Sequence, residues 1–225
     1  MNKCVMKKSR ANTAKHCAVM AFSRIRLGDV CSKIGSGATP RGGKESYKGG
    51  ATSLIRSQNI YNDGFHRDGL AYIDDVQASQ LANVEVQSGD ILLNITGDSV
   101  ARCCQAAIDV LPARVNQHVA IIRPHRGRLE SRFLRYVLAS PAYQSHLLAL
   151  ASAGATRNAL TKGMIENLEI DAPEISKQKT IARILGALDD KIENNRKLNH
   201  HLPPSHPPRI APRSRVWAKV CPSRL

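Results

Sequence analysis

Short apolar runs, each closed by glycine or polar residues, fill the chain from residue 25 to about 125. The clearest runs are Ser53-Leu-Ile-Arg56, Ala71-Tyr-Ile73, Ile91-Leu-Leu-Asn-Ile95 and Val119-Ala-Ile-Ile122. Runs of this length, bounded by Gly, Asn and Asp, are typical of strands and turns. This part of the chain is therefore predicted to form a sheet-rich unit with long connecting loops.

A helical pattern replaces the strand pattern between residues 130 and 152. Pro141 is predicted to restart a helix there, and the apolar positions are Phe133, Leu134, Val137, Leu138, Leu147, Leu148 and Leu150. A longer helical run from about Ser176 to Leu202 follows Pro173. These patterns predict a mixed α/β (α+β) domain over residues 25–173, followed by a long coiled-coil-type helix over residues 174–202.

The long helical run has a coiled-coil register. Its inward positions step by four and three residues, and the predicted helix-pairing residues are Ile181, Leu185, Leu188, Ile192, Asn195 and Asn199, with Leu202 next. Asn in such a seam lowers stability and helps to fix the register of a partner. An amphipathic helix folded back on its own domain has the same pattern, so both alternatives are open.

Both ends of the chain are more basic than its middle. The formal net charge is +15, and only +4 of it lies on residues 31–202. We predict that residues 1–24 form a disordered basic extension, or an upstream addition ahead of Met20. The double proline at Pro203-Pro204 ends the helix, and residues 203–225 are predicted to be a disordered tail or the product of a frameshift. Charge alone fits DNA, RNA, an acidic protein or simple solubility.

Several functional classes are disfavoured by the sequence. The six cysteines include no CxxC pair, so neither a zinc site nor a disulfide scaffold is predicted. Vicinal Cys103 and Cys104 are interpreted as small buried residues, with redox activity as the alternative. No apolar run is long enough to span a membrane or to act as a signal peptide. We expect a cytoplasmic protein without cofactor or metal.

Three polar stretches interrupt the apolar pattern: Asn94-Ile-Thr-Gly-Asp-Ser99, Asn116-Gln-His118 and Gly154-Ala-Thr-Arg-Asn158. Their amide, hydroxyl, imidazole and guanidinium groups are those that contact base edges and phosphates. The predicted DNA contacts in and beside them are Thr96, Ser99, Arg102, Asn116, Gln117, Arg157, Asn158 and Lys162. Connections whose polar groups merely face water would have a similar composition.

Two further segments are candidates for DNA contact. Gly35-Ser-Gly-Ala-Thr-Pro40 lacks the endings of a P-loop and of a dinucleotide-binding loop. It is either a flexible loop that offers Thr39, Arg41 and backbone amides to phosphate, or a plain glycine-rich turn. The second segment, with Arg56, Gln58 and Asn59, either recognises DNA or caps the end of a strand.

No catalytic site is predicted. The stretch from Asn94 to Ser99 follows an apolar strand, as the Asn/Asp-Pro-Pro-aromatic loop of amino-methyltransferases does, but it lacks the element that stacks a flipped base. Asp98 and His118 could form an acid/base pair, but no nucleophile with a defined spacing accompanies them.

Taken in order, these segments resemble the DNA-specificity subunit of type I restriction-modification systems over about residues 25–202. The segments that carry the resemblance are Leu27-Gly-Asp-Val30, Gly35-Ser-Gly-Ala-Thr-Pro40, Ile55-Arg-Ser-Gln-Asn59, Gly89-Asp-Ile-Leu-Leu93, Val115-Asn-Gln-His-Val-Ala-Ile-Ile122, Gly154-Ala-Thr-Arg-Asn158, Gln178-Lys-Thr-Ile-Ala182 and Leu188-Asp-Asp-Lys-Ile192. The resemblance implies a target recognition domain for one half of a bipartite site in double-stranded DNA, followed by a conserved-region helix that pairs antiparallel with its equivalent.

The resemblance also implies partners. The family's specificity subunit has no active site and docks a methyltransferase subunit and a restriction subunit, which carry out adenine methylation and ATP-dependent DNA cleavage. This chain has one recognition domain and one helix, whereas the complete subunit has two of each. The alternatives are a half-subunit that forms a homodimer through its C-terminal helix, a truncated fragment without function, and a coiled-coil protein-interaction module.

Overall fold

The structure is a computed structural model, and it describes four stretches of the chain: residues 22–40, 47, 49–153 and 158–201. Most of the predicted N-terminal extension and all of the predicted tail lie outside the described residues. So do two predicted DNA contacts, Arg41 and Arg157, and the last seam position, Leu202. No helix in the described stretches combines the length and the apolar character that crossing a membrane requires.

The chain divides between Ile184 and Leu185 into two compact units. The strands of the described residues, all in the first unit, are β1 Ser23–Arg26, β2 Cys31–Ser36, β3 Thr52–Ile55, β4 Ile60–Tyr61, β5 Gly64–Phe65, β6 Ala71–Ile73, β7 Glu85–Val86, β8 Ile91–Asn94, β9 Cys103–Gln105, β10 Ala113–Val115, β11 Val119–Pro124 and β12 Glu169–Ala172. The α-helices are α1 Leu27–Val30, α2 Asp75–Gln80, α3 Ser131–Ala139, α4 Pro141–Ser152, α5 Lys162–Glu166 and α6 Ile175–His201. The predicted domain boundaries remain predictions.

Two four-stranded sheets form the frame of the first unit. One has the strand order β2-β11-β8-β9 and is antiparallel throughout. The other has the order β6-β3-β10-β7, and its central pair β3 and β10 is parallel. Smaller two-stranded sheets join β1 to β12 and β4 to β5. The predicted mixed α/β fold with a long C-terminal helix is confirmed.

The central strands β8 and β11 of the β2-β11-β8-β9 sheet are buried on both faces, which explains their continuous apolar runs. In β8, Ile91 and Leu93 belong to the core that includes Leu134 of α3, whereas Leu92 belongs to the core that includes Leu54 of β3. Successive side chains of a strand point to opposite faces, so a strand covered on both sides is apolar at every position.

The vicinal cysteines of β9 follow the same alternation. Cys103 belongs to the core shared with the helices, and Cys104 belongs to the core of the other sheet. Burial raises the pKa of each thiol to about 12, which suppresses the reactive thiolate. The structure therefore favours the interpretation of both as small core residues.

The predicted helical break at Pro141 is confirmed. The first helix of the pair, α3, ends at Ala139, and Pro141 is the first residue of α4. Proline suits that position because the first helical amide has no partner inside the helix.

The first turns of α6 belong to the same unit as the sheets, and Gln178 ties them to α3. Gln178 is only 2% exposed. Its Oε1 accepts a hydrogen bond from the Glu130 amide at 2.9 Å, and its Nε2 donates to the Pro173 carbonyl at 2.8 Å. Glu130 is the N-cap residue of α3, so one side chain joins the starts of two helices.

Replacing Gln178 by Ala is expected to lower the free energy of unfolding by about 2 kcal/mol, because it leaves the part-buried Glu130 amide and the buried Pro173 carbonyl without this partner. Urea denaturation followed by circular dichroism measures the change. The neighbouring substitution Lys179→Ala, on an exposed residue, is the control and is expected to change stability by less than about 0.5 kcal/mol. Equal stability of the two variants would contradict the linking role of Gln178.

The predicted pairing positions of α6 differ in exposure. Ile181 packs against the core of the first unit, as the folded-back alternative requires. Leu185 is half-buried, whereas Leu188 and Ile192 are 58% and 50% exposed. Asn195 is exposed, and only the backbone of Asn199 is described. Part of the predicted seam is therefore used in the domain core, and the exposed part remains a prediction for helix pairing.

Candidate nucleic-acid interface

Strand directions bring the predicted contact loops together. Because β3 and β10 are parallel, Arg56 and Asn116 follow neighbouring strand ends, and the Asn116 amide donates to the Ile55 carbonyl at 3.0 Å. Because β8 and β11 are antiparallel, the end of β8 at Asn94 lies opposite the start of β11 at Val119. The loops after β3, β8 and β10 therefore share one edge of the first unit.

The residues that follow the third polar stretch reach the same edge, and of that stretch only Asn158 is described. Ala159 forms a bridge with Thr96, and the Leu160 amide donates to the Ile95 carbonyl at 2.8 Å. Asn158 is exposed beside this bridge. We call this surface the loop edge, and it comprises residues 37–40, 56–59, 94–102, 116–118 and 158–160.

Side chains from separate loops form hydrogen bonds across the loop edge. Thr39 Oγ1 donates to Gln117 Oε1. The Gln117 Nε2 lies 3.4 Å from His118 Nε2, and His118 Nδ1 lies 2.7 Å from Thr96 Oγ1. His118 thus bonds to Thr96 and Gln117, and the alternative acid/base pair with Asp98 does not form among the described residues.

The buried side chain of Asn94 joins the loop after β3 to the loop after β8. It is fully buried, and its Nδ2 donates to the Ser57 carbonyl at 2.9 Å and to Ser99 Oγ at 3.1 Å. Its Oδ1 has no hydrogen-bond partner in the described part of the chain. This role of Asn94 was not predicted from the sequence, although an amide at the end of an apolar run is a visible signal for it.

Two arginines of the loop edge lie over aromatic rings. The Arg102 guanidinium is 4.8 Å from the ring centre of Tyr61, and the Arg56 guanidinium is 5.8 Å from that of Tyr47. These contacts hold the cations in place while leaving them partly accessible. Arg56 Nη2 also donates to the Gly69 carbonyl, which accepts a second bond from Gln58 Nε2 at 3.2 Å. Neither Tyr61 nor Gly69 was singled out from the sequence.

Asn59, one of the predicted DNA contacts, is not accessible to DNA. It is fully buried, its Nδ2 donates to the carbonyls of His66 and Asp68, and its Oδ1 accepts from the Arg56 amide. Every polar group of the side chain is used inside the protein, so the capping alternative is correct for this residue. Asn116 has a similar position, because it is 6% exposed and its Oδ1 accepts from the His118 amide at 3.2 Å.

The glycine-rich segment also differs from the phosphate-binding expectation. The amide of Gly37 donates to the Val119 carbonyl at 2.8 Å, and that of Ala38 donates to the Val115 carbonyl at 3.0 Å. These two amides are therefore not available to a phosphate. The segment instead fastens Thr39 against Gln117.

Lys162 lies at the border of the loop edge, whereas Ser99 lies within it. Lys162 is the first residue of α5, whose N-cap side chain, Thr161, accepts from the Met164 amide. The Lys162 Nζ lies 3.5 Å from Glu166 Oε1. Both groups are partly exposed, so this ion pair holds Lys162 only weakly. Ser99 is half-buried and accepts from Asn94.

Comparison with protein families gives a match over most of the chain. A family model described as type I restriction modification DNA specificity domain matches residues 22–203. A curated relative, the putative type I restriction enzyme MjaX specificity subunit of Methanocaldococcus jannaschii, is 21% identical over 168 residues, which are 74% of this chain and 39% of the relative.

Solved structures show the same fold. The type I restriction-modification S subunit of M. genitalium superimposes with a TM-score of 0.59 at 17% identity, over 82% of this chain and 43% of that one. The HsdS subunit of Thermoanaerobacter tengcongensis gives 0.52 at 19% identity, over 79% and 39%. A chain from a study of assembly and conformational transition of the type I R-M system gives 0.55 at 20% identity, over 80% and 41%. The chain spans about two-fifths of the length of these relatives.

Proposed function

The chain belongs to the family of type I restriction modification DNA specificity domains, and from this membership we propose that it recognises one half of a bipartite site in double-stranded DNA through its loop edge. The observation that supports the loop edge is the convergence of segments that are far apart in the sequence. Hydrogen bonds between Thr39, Gln117, His118 and Thr96 join the glycine-rich segment to the polar stretches at 94–99 and 116–118, and Asn158 lies beside them next to the bridge between Thr96 and Ala159.

The proposed contacts are the accessible polar and cationic residues of this surface and its border: Thr39, Arg56, Gln58, Thr96, Ser99, Arg102, Gln117, Asn158 and Lys162. Arg41 and Arg157, outside the described residues, are proposed on their sequence position alone. Arginine and amide side chains can each bond a base edge with two hydrogen bonds, which gives sequence discrimination. Cations held over an aromatic ring also neutralise phosphate charge.

No chemical step is proposed for this chain itself. Adenine methylation and ATP-dependent cleavage would be carried out by a methyltransferase subunit and a restriction subunit that dock on it. Because Leu188 and Ile192 of the C-terminal helix are exposed apolar side chains, we propose that two copies assemble through this helix to recognise both halves of a symmetric site.

A protein-interaction module is the second candidate function, and the exposed apolar side chains of α6 favour it. Ile184, Leu188 and Ile192 recur every fourth residue, so they lie on one face of the helix, and each is at least half exposed. Such a stripe normally packs against another helix. Both candidates therefore require that this face have a partner.

Replacing Leu188 by Glu is expected to abolish self-association, because it places a charge within the apolar stripe. Light scattering after size-exclusion chromatography should show a dimer for the native chain and a monomer for the variant. The control is Asn194→Glu, which adds the same charge about 120° around the helix and should leave the dimer intact. A monomeric native chain, or a dimeric Leu188 variant, would contradict pairing through this stripe.

The proposed function is tested by co-expressing the full chain with a methyltransferase subunit of its own system, purifying the complex, and mapping adenine methylation across a random duplex library. We expect co-purification and one recurring methylated motif. A symmetric motif would indicate two copies in the complex. Co-purification without any motif would favour the interaction module, and the absence of both would refute DNA recognition by this chain.

A further inference from the structure

The side chains of Thr39, Gln117, His118 and Thr96 in the loop edge are joined by successive hydrogen bonds. The chemistry of these groups determines which of them donates and which accepts in each bond. Thr39 Oγ1 donates to Gln117 Oε1, so the amide oxygen of Gln117 is already an acceptor. Gln117 therefore presents its NH₂ group to His118, with 3.4 Å between Gln117 Nε2 and His118 Nε2. An amide NH₂ can only donate. In this amide orientation His118 Nε2 accepts and carries no proton.

The direction continues through the imidazole to Thr96. A neutral imidazole that lacks a proton on Nε2 carries it on Nδ1. His118 Nδ1 lies 2.7 Å from Thr96 Oγ1, so Nδ1–H donates and the hydroxyl oxygen of Thr96 accepts. The hydroxyl hydrogen of Thr96 is then left to donate to an atom outside this chain of bonds.

The backbone holds these groups in position. The His118 amide donates to Asn116 Oδ1 at 3.2 Å, and the Ile95 amide donates to the His118 carbonyl at 3.0 Å. Thr96 itself is fixed by its bridge with Ala159. The side chains therefore meet between loops whose backbones are bonded to one another.

We propose that the chain of bonds from Thr39 through Gln117 and His118 fixes His118 as the Nδ1–H tautomer and thereby makes Thr96 a hydrogen-bond donor to DNA. This inference rests on the proposed function and adds to it the chemical class of the bonded atom. Acceptors of this class are guanine O6 and N7, adenine N7, thymine O4 and the phosphate oxygens.

The opposite direction is the competing arrangement. If the Gln117 amide turned by 180°, His118 Nε2–H would donate to its oxygen, and Thr96 would donate to Nδ1. Thr39, rather than Thr96, would then present the outward hydrogen. The two arrangements therefore differ in the tautomer of one histidine.

The tautomer is measured in the full chain without DNA, by ¹⁵N NMR of labelled histidine with His118 assigned by substitution. A protonated Nδ1 and an unprotonated Nε2 are expected, and the reverse pattern would overturn the inference. Thr39→Val removes the first donor and is expected to populate both tautomers. Thr180→Val makes the same chemical change on α6, outside the loop edge, and should leave the His118 signals unchanged.

Binding by the co-expressed complex tests the role of Thr96. Thr96→Val keeps the shape and removes the hydroxyl, and it is expected to weaken binding about 5–10-fold, with recovery in Thr96→Ser. A loss confined to the cognate duplex indicates a base acceptor, and an equal loss on every duplex indicates phosphate. Unchanged affinity in Thr96→Val would overturn the inference while leaving the proposed function intact. Absence of specific binding by the native complex would refute the proposed function instead. The NMR result would still decide in which direction the hydrogen bonds from Thr39 to Thr96 run.

Discussion

Replacing Asp90 by Ala is expected to lower the free energy of unfolding by about 3–5 kcal/mol, because it leaves the mostly buried Arg123 guanidinium without its carboxylate partner. Asp90 is fully buried, and its two carboxylate oxygens each accept a bond of 2.7 Å from Arg123. It also accepts from the Gln87 amide at 2.7 Å, so the substitution removes a third bond. The side-chain bond to Asp90 raises the pKa of Arg123. Arginine keeps its charge in proteins even without such a partner, so the substitution leaves an uncompensated cation.

An exposed pair of the same geometry provides the control. Arg67 donates two bonds to Asp109 at 2.9 and 3.0 Å, but both side chains are about half exposed. Water can replace the lost carboxylate there, so Asp109→Ala is expected to cost at most about 1 kcal/mol. Both variants are compared by urea denaturation under identical salt conditions. Equal losses would show that burial does not decide the contribution of the Asp90 pair.

The Asp90 pair also shows what sequence alone could and could not establish. The apolar run after Asp90 predicts a strand, because a strand covered on both faces needs an apolar side chain at every position. The pairing with Arg123 could not be predicted, since it joins residues 33 positions apart. Short-range patterns determine elements, whereas partners across a sheet depend on the strand order β2-β11-β8-β9.

The same distinction applies to the candidate site. The polar stretches near residues 96, 117 and 158 were identifiable because they interrupt apolar strands. That they share an edge follows from the parallel pair β3 and β10 and from the bridge between Thr96 and Ala159, neither of which has a local sequence signal. Asn59 shows the opposite error, because its composition suits base recognition although its backbone partners bury it.

Helix α6 illustrates a third limit. Its spacing predicted one continuous seam, but a periodic pattern does not say which surface covers each position. Ile181 packs in the core of the first unit, whereas Leu188 is exposed. Periodicity thus predicted the helix correctly and left open which of its apolar residues pair with another chain.

Replacing Gly37 by Ala is expected to lower the stability of the fold and to weaken specific DNA binding at least tenfold, because there is no room for a side chain at this position. A Cβ on residue 37 would lie 2.5 Å from the carbonyl carbon of Val115 and closer still to the carbonyl oxygens of Val115 and Asn116. These are backbone atoms that cannot rotate away, so the segment must move, at a cost of about 1–3 kcal/mol.

That movement would separate Thr39 from Gln117 and break the bonds from Gly37 to Val119 and from Ala38 to Val115. Gly35→Ala, two residues earlier in β2, is the matched control, because a Cβ there has no atom within 4 Å. Alanine should be tolerated or slightly stabilising at that position, since glycine in a strand costs about 0.5–1 kcal/mol relative to alanine. Thermal unfolding of both variants tests the packing without DNA, and binding of the co-expressed complexes to the methylated motif tests the site. If Gly37→Ala and Gly35→Ala behave alike in both measurements, Gly37 does not hold this segment in place. If Gly37→Ala lowers stability but not binding, the segment has no role in DNA recognition.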